Sequence, residues 1–195
     1  MPDDQHLDQP LDKPPADART RILDAVEAIV QAKGVPALTL EATARQAGIS
    51  KGGLLYHFAS KEALLTGLLR RLADHIEQDF DSVLAAQPEG PARATRAIIA
   101  WIFDHPETAC EEHQRAGAVF LAVFHHDPAL LEPIRALFAR IRDRLRQDGL
   151  PPGHALAVMA ASDGLFFGEL FGMYKQTEED RLAIRAALET LVAVA

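Results

Sequence analysis

The sequence predicts an all-α protein of about nine helices, with a three-helix N-terminal unit in front of a larger helical unit. Two observations carry this expectation. From Asp17 onward apolar residues recur at three- and four-residue spacing almost everywhere, which places them on one face of a helix. No segment combines sustained alternation with hairpin turn chemistry, and no internal repeat is visible.

Residues 1–15 are rich in Asp and Pro and hold two leucines, the composition of a disordered tail. Ile22, Val26, Ile29 and Val30 line one face of a first helix, stopped by Gly34 and Pro36. Thr39 and Ser50 suit the N-caps of two short helices separated by Gly48. Ser60 opens a longer helix with Leu65, Leu69, Leu72, Ile76 and Val83 on one side, broken by 87–91. Further helical patterns follow at roughly 91–105, 108–126, 128–147, 152–174 and 178–194. The expected division is a tail over 1–15, a small unit over 16–62 and a larger one over 63–195.

Composition bounds the function. The 195 residues suffice to bury a core, and 48% hydrophobic with 25% charged residues is the balance of a soluble protein. No apolar run nears the ~20 residues that span a bilayer, and the acidic N-terminus does not suit a signal peptide. The single cysteine, Cys110, excludes an internal disulfide framework and fits the reducing cytoplasm. A net charge of −8 argues against nucleic acid, but its distribution reverses that argument. Residues 1–15 carry a net of −3 and residues 73–195 a net of −8, whereas residues 16–72 hold eight basic and five acidic groups, a net of +3. A phosphate backbone attracts a local basic face and does not require a basic whole.

The basic segment contains Thr39-Leu-Glu-Ala-Thr-Ala-Arg-Gln-Ala-Gly48-Ile-Ser-Lys-Gly-Gly-Leu-Leu-Tyr-His-Phe58. Two crossing helices need a small contact residue, here Ala44, and a turn tolerant of positive φ, here Gly48. Ile49 and Leu54 then plug the junction, and Ser50 caps the second helix so that Lys51 and Gly52 lie on its first turn. That spacing alone serves an ordinary αα-corner as well as a helix that enters a major groove.

The strings Leu54-Leu55-Tyr56-His57-Phe58 and Ser60-Lys61-Glu62-Ala63-Leu64, at these distances from the corner, resemble the TetR family of bacterial transcriptional regulators. The resemblance covers about residues 18–70. It implies a DNA-binding regulator acting as a homodimer on a palindromic double-stranded operator, released from it by a small apolar or amphipathic effector. It also implies phosphate contacts from Thr39, Tyr56, His57 and Lys61, and groove-facing positions at Lys51 and Gly52, with Ser50 and Gly53 on the same turn. Hydroxyl, imidazole and ammonium donors beside helix N-termini are what phosphates bind. Two departures follow. Leu55 stands where a second tyrosine is common, and Gly53 adjoins Gly52, which costs the helix roughly 1 kcal/mol per glycine relative to alanine and removes side chains that read bases. Lys51 is then the most evident reader, with Thr43, Arg45 and Glu41 as helpers from the preceding helix, and DNA shape supplying the rest.

In the family the C-terminal helices dimerise and enclose the effector. In 152–174 a small stripe, Ala157, Ala161, Gly164, Gly168 and Gly172, suits close approach of another helix and is the expected dimer face with 178–194. A neighbouring stripe of Leu156, Met159, Asp163, Phe166, Leu170 and Met173 places a carboxylate among apolar residues, where it must be paired, solvated or protonated. Asp163 is either a structural group or a ligand anchor, with Trp101, Phe120, Phe124, Met159 and Phe166 as the apolar wall. His105, His113, His125 and His126 lack ligand spacing, so neither metal nor cofactor is expected. A helical hydrolase using Asp163 or Glu169 is the rival from another class, without a nucleophile motif to support it. A regulator controlled by a protein partner is a second.

Overall fold

The computed structural model describes residues 17–104, 107–173 and 175–193, with the backbone alone over 107–114. The expected tail over 1–15, His105 and the side chains of Cys110 and His113 lie outside the described residues. Within them the architecture is entirely helical. The helices are α1 (Ala18–Lys33), α2 (Leu40–Gln46), α3 (Lys51–His57), α4 (Lys61–Ala85), α5 (Arg93–Phe103), α6 (Glu107–His126), α7 (Glu132–Arg146), α8 (His154–Leu170) and α9 (Glu178–Val192). Short 3-10 turns at Val35–Ala37 and Pro128–Leu131 lead into α2 and α7.

The starts of five helices follow from local side chains. Asp17, Thr39, Ser50 and Ser60 accept from the backbone N–H groups of Thr20, Ala42, Gly53 and Ala63 at 2.7, 3.0, 3.0 and 3.2 Å. Each satisfies a donor that the first turn leaves unpaired. Thr177 and Asp180 form a reciprocal capping box on α9. Helix α5 differs. Its cap position is Ala92, left-handed at φ 64° and without a polar side chain. Asp148, 53 residues beyond Thr95, substitutes: its carboxylate accepts from Ala94 N (2.9 Å), Thr95 N (2.7 Å) and Thr95 Oγ1 (2.6 Å).

The small unit packs α1 across α2 and α4, burying Ile22, Val26, Ile29 and Val30 against Val35, Leu38, Ala44 and Leu54. Helix α4 is continuous across the expected 62/63 boundary. Its early turns bury Leu64, Leu65, Leu68 and Leu69 beside α1, and its later turns pack on α5 and α7 through Phe80. The two units therefore share a helix instead of being joined by a linker. Gly67 lets them meet closely, because a Cβ built there would fall 2.6 Å from Phe58 Cε1.

In the larger unit α7 buries Ile134, Leu137, Ile141 and Leu145, and α8 buries Val158, Met159, Ser162 and Leu165. Helix α8 stops at Leu170, four residues short of the expected end. Gly172 takes φ 60°, its N–H bonds to Glu169 O and that of Met173 to Gly168 O, the pair of bonds that closes a helix at a left-handed glycine. Helix α9 lies on α5 and α8 with Leu188 its one buried residue, leaving Leu182 exposed.

Candidate nucleic-acid interface

The α2–α3 corner is built as its spacing requires. Ala44 and Leu54 are buried at the crossing and Ile49 is half-buried beside them. Gly48, at φ 66°, sends its N–H to Arg45 O (3.3 Å) and that of Ile49 to Ala44 O (3.0 Å), ending α2 and turning the chain into α3. Leu54 is fully buried, so α3 is fixed by one apolar residue and presents its remaining side chains outward.

Tyr56 and His57 are both exposed, Tyr56 at 87%, with their rings edge to face at 5.1 Å. Neither is packed beneath the corner. Lys61 opens α4 half-buried, one residue after the Ser60 cap. Arg45 is exposed on the last turn of α2. Thr39 and Ser50 spend one acceptor each on the backbone, and their hydroxyl protons stay available to an anion.

Thr43 is a correction. It is fully buried, and its Oγ1 donates to Thr39 O at 2.8 Å, in the preceding turn. It steadies the cap and cannot touch DNA. Gly52 and Gly53 are exposed on the first turn of α3. A Cβ on Gly52 would meet only Ser50 Oγ, at 4.0 Å, and one on Gly53 the same atom at 3.3 Å. A Cβ at Gly53 would crowd the Ser50 cap, whereas packing within the protein does not account for Gly52.

Two ion-pair relationships were not legible from spacing. Lys51 Nζ is hydrogen-bonded to Glu41 Oε1 across the corner, and this contact holds the Glu41 carboxyl below its usual range. Arg71 of α4 grips α1 through Asp24 and Glu27, both at 2.6 Å, tying the small unit to the shared helix. Opposite charges 10 and 44–47 residues apart leave no periodic signal.

The expected effector wall lies apart from the two best-formed concavities of the surface. Among the concavities of the described residues, one of about 440 Å³ lies between α5 and α9 and one of about 310 Å³ between α1, α4 and α6. None of Trp101, Phe120, Phe124, Met159, Asp163 and Phe166 lines either. The aromatics contact one another and the core. Trp101 lies 6.0 Å from Phe80, Phe120 stacks on Phe124 at 6.3 Å, and Phe166 reaches to 3.3 Å from where a Gly117 Cβ would stand. Asp163 is half-buried, and burial raises its carboxyl above the usual range against a smaller pull from Arg142. The small stripe divides as well. Ala157 and Gly164 are exposed and Ala161 half-buried, but Gly168 is buried within the chain and Gly172 lies past the end of α8. Among the described residues no three His, Cys, Asp or Glu side chains gather as a metal cluster, and no helix is long and apolar enough to cross a membrane.

A family model described as the tetracyclin-repressor-like C-terminal domain matches residues 92–193, just over half the chain. A second, described as bacterial regulatory proteins of the tetR family, matches residues 22–68, the whole corner included. The chain belongs to the TetR family. Among relatives of this TetR chain, the EthR transcriptional regulator of Mycolicibacterium smegmatis is 31% identical over 97 residues, 48% of this chain and 45% of that one. The TtgW regulator of Pseudomonas putida is 33% identical over 88 residues, covering 62% of its length. The chain thus spans about half to three fifths of these two relatives. The BetI regulator of Escherichia coli is 28% identical over 158 residues, 76% of this chain and 80% of that one. The fold matches a transcriptional regulator of Streptomyces coelicolor, SCO7518, at TM-score 0.70, 24% identity and coverage of 91% and 99%. It also matches the multidrug binding protein EbrR, solved with ethidium, at TM-score 0.61, 25% identity and coverage of 90% and 99%.

Proposed function

We propose that this chain is a DNA-binding transcriptional regulator that represses from a palindromic operator as a homodimer and is released by a small apolar or amphipathic effector. The observation that carries the reading is the α2–α3 corner, where Tyr56, His57 and Lys51 stand exposed on and beside a helix held by Leu54 alone. Tyr56, His57, Lys61, Thr39 and Ser50 are the phosphate donors, and Lys51 with Arg45 reads base edges. Thr43 drops out of that set.

Homodimerisation is supported by what one chain leaves uncovered. Ala157, Gly164 and Leu182 are exposed on α8 and α9, and a Cβ on Gly164 would meet nothing within 4 Å. A second copy seated there covers an apolar, closely approachable face. Effector release rests on the relatives, EbrR being a multidrug binding protein, and on Asp163, a half-buried carboxyl that a cationic group would stabilise in its charged form.

The test is a gel-shift selection from a random duplex pool, followed by a thermal-shift screen of cationic and neutral aromatic compounds. Enrichment of an inverted repeat, with release of the complex by a compound that raises the melting temperature, is the expected result. A folded monomer that enriches no sequence contradicts it.

A further inference from the structure

We propose that Glu41 is a specificity-determining residue which, hydrogen-bonded to Lys51, reads one G·C base pair in the major groove as a joined acceptor–donor unit. The proposal rests on the DNA-binding reading above and goes beyond it in naming the residue and the base pair.

Glu41 lies on the first turn of α2 and Lys51 on the first turn of α3, and the two meet across the corner by a salt bridge. Their side chains are 65% and 54% exposed, so the pair sits on the surface that α3 presents. A surface pair this open contributes little to stability. An acidic side chain at that place also opposes a phosphate backbone and offsets the attraction of its neighbouring lysine. A carboxylate on the first turn of α2 favours that helix, but neither this nor general DNA affinity asks for its pairing with Lys51, which points to discrimination.

The chemistry of the groove fits the pair. A G·C base pair shows two acceptors on guanine, N7 and O6, beside the N4 amino donor of cytosine. Lysine carries three donors, of which Glu41 takes one, and a carboxylate accepts at two oxygens. The joined unit can therefore set Lys51 against guanine while Glu41 accepts from cytosine N4. An A·T pair in the same place turns thymine O4, an acceptor, toward the carboxylate, and acceptor meets acceptor. Gly52 and Gly53 follow Lys51 without side chains, and Leu54 is buried, so nothing else on this turn competes for the same base edge. On a random duplex Lys51 stays paired with Glu41, which keeps the chain from being held by any phosphate it meets. Only the matching base pair replaces what the carboxylate loses in water.

The experiment selects binding sites from a random duplex pool with the wild-type chain, Glu41→Ala and Glu41→Gln, each checked for helical content. Affinities are then measured for the selected site and a scrambled duplex between about 50 and 200 mM salt. The wild type should require one G·C pair in each half-site. Glu41→Ala should lose discrimination at that pair by about tenfold while its binding to scrambled duplex strengthens and the log–log salt slope steepens by about 0.9. Glu41→Gln keeps the side chain's length and adds a donor, so it should admit A·T at the same position, by donation to thymine O4. A motif that persists base for base in both variants overturns the proposal and leaves the DNA-binding reading intact. A folded wild type that enriches no motif overturns the DNA-binding reading and this proposal together.

Discussion

Phe58 occupies the space in which a side chain at residue 67 would begin: the Cβ of an alanine there would lie 2.6 Å from Phe58 Cε1 and 3.3 Å from Leu23 Cδ2. Phe58 ends α3, Leu23 belongs to α1 and Gly67 to α4, so this one contact sets how the DNA-reading corner is seated on the helix it shares with the larger unit. Gly67→Ala should destabilise the fold by roughly 1–3 kcal/mol, since overpacking forces ring and backbone to shift. It should also weaken DNA binding beyond the loss of folded protein. Denaturant unfolding paired with an anisotropy titration at a temperature where the variant is folded checks both effects.

Gly52→Ala should do the opposite to stability. Outside the backbone of its own helix and its chain neighbours, only Ser50 Oγ lies within 4 Å of the added methyl group, and alanine favours a helix over glycine by about 1 kcal/mol. A rise in melting temperature of a few degrees is expected. If the bare first turn lets α3 sit deep in the groove, the same variant should lose about tenfold in operator affinity. A more stable variant with wild-type affinity would show that close approach is not what the glycine provides.

Asp148→Ala removes the acceptor of three buried hydrogen bonds at the start of α5. Two backbone donors and the Thr95 hydroxyl would be left unpaired in a buried place, at a cost of roughly 2–4 kcal/mol. Asp148→Asn keeps one carbonyl acceptor and should lose less. Urea unfolding of the two variants gives the comparison, and equal losses would contradict a capping role.

At Asp163 the sign of the pH dependence distinguishes the outcomes. Burial raises its folded carboxyl above the unfolded value, so ionisation costs folding energy once pH exceeds the folded value, and nothing below the unfolded one. Asp163→Asn should therefore raise the melting temperature near neutral pH, and the gain should shrink as pH falls through the carboxylate range. If the carboxylate also anchors an effector, the same variant keeps DNA binding but loses release, worth about 1.5–3 kcal/mol of contact. A melting temperature lowered at neutral pH would mean that the ionised form is held by a favourable partner.

Local chemistry was legible in the sequence where a helix declares itself within four residues. Thr39, Ser50 and Ser60 are caps as read, Gly48 turns the corner, and the 3-4 apolar spacing placed the core faces of α1, α4 and α7. What escaped depends on distant chain. The Asp148 cap, the Arg71 grip on Asp24 and Glu27, and the Lys51–Glu41 pair all join separate elements, and no period marks them. Thr43 was misplaced because a polar residue on the helix beside the reading turn suggests exposure, whereas its hydroxyl closes onto the preceding turn at Thr39 O. Spacing alone could not divide the aromatics between core and pocket wall: Trp101, Phe120 and Phe166 each find a neighbour inside the chain.

The most direct test of DNA reading is an anisotropy titration of the selected duplex by the wild type and by Lys61→Ala and His57→Ala, across a range of salt. Binding should weaken steeply with salt in the wild type. Lys61→Ala should lower the log–log slope by about 0.9 and weaken binding to every sequence alike, with His57→Ala a smaller uniform loss. Folded wild-type protein that binds no duplex at about 50 mM salt, or a Lys61→Ala variant with altered base preference and an unchanged slope, would contradict it.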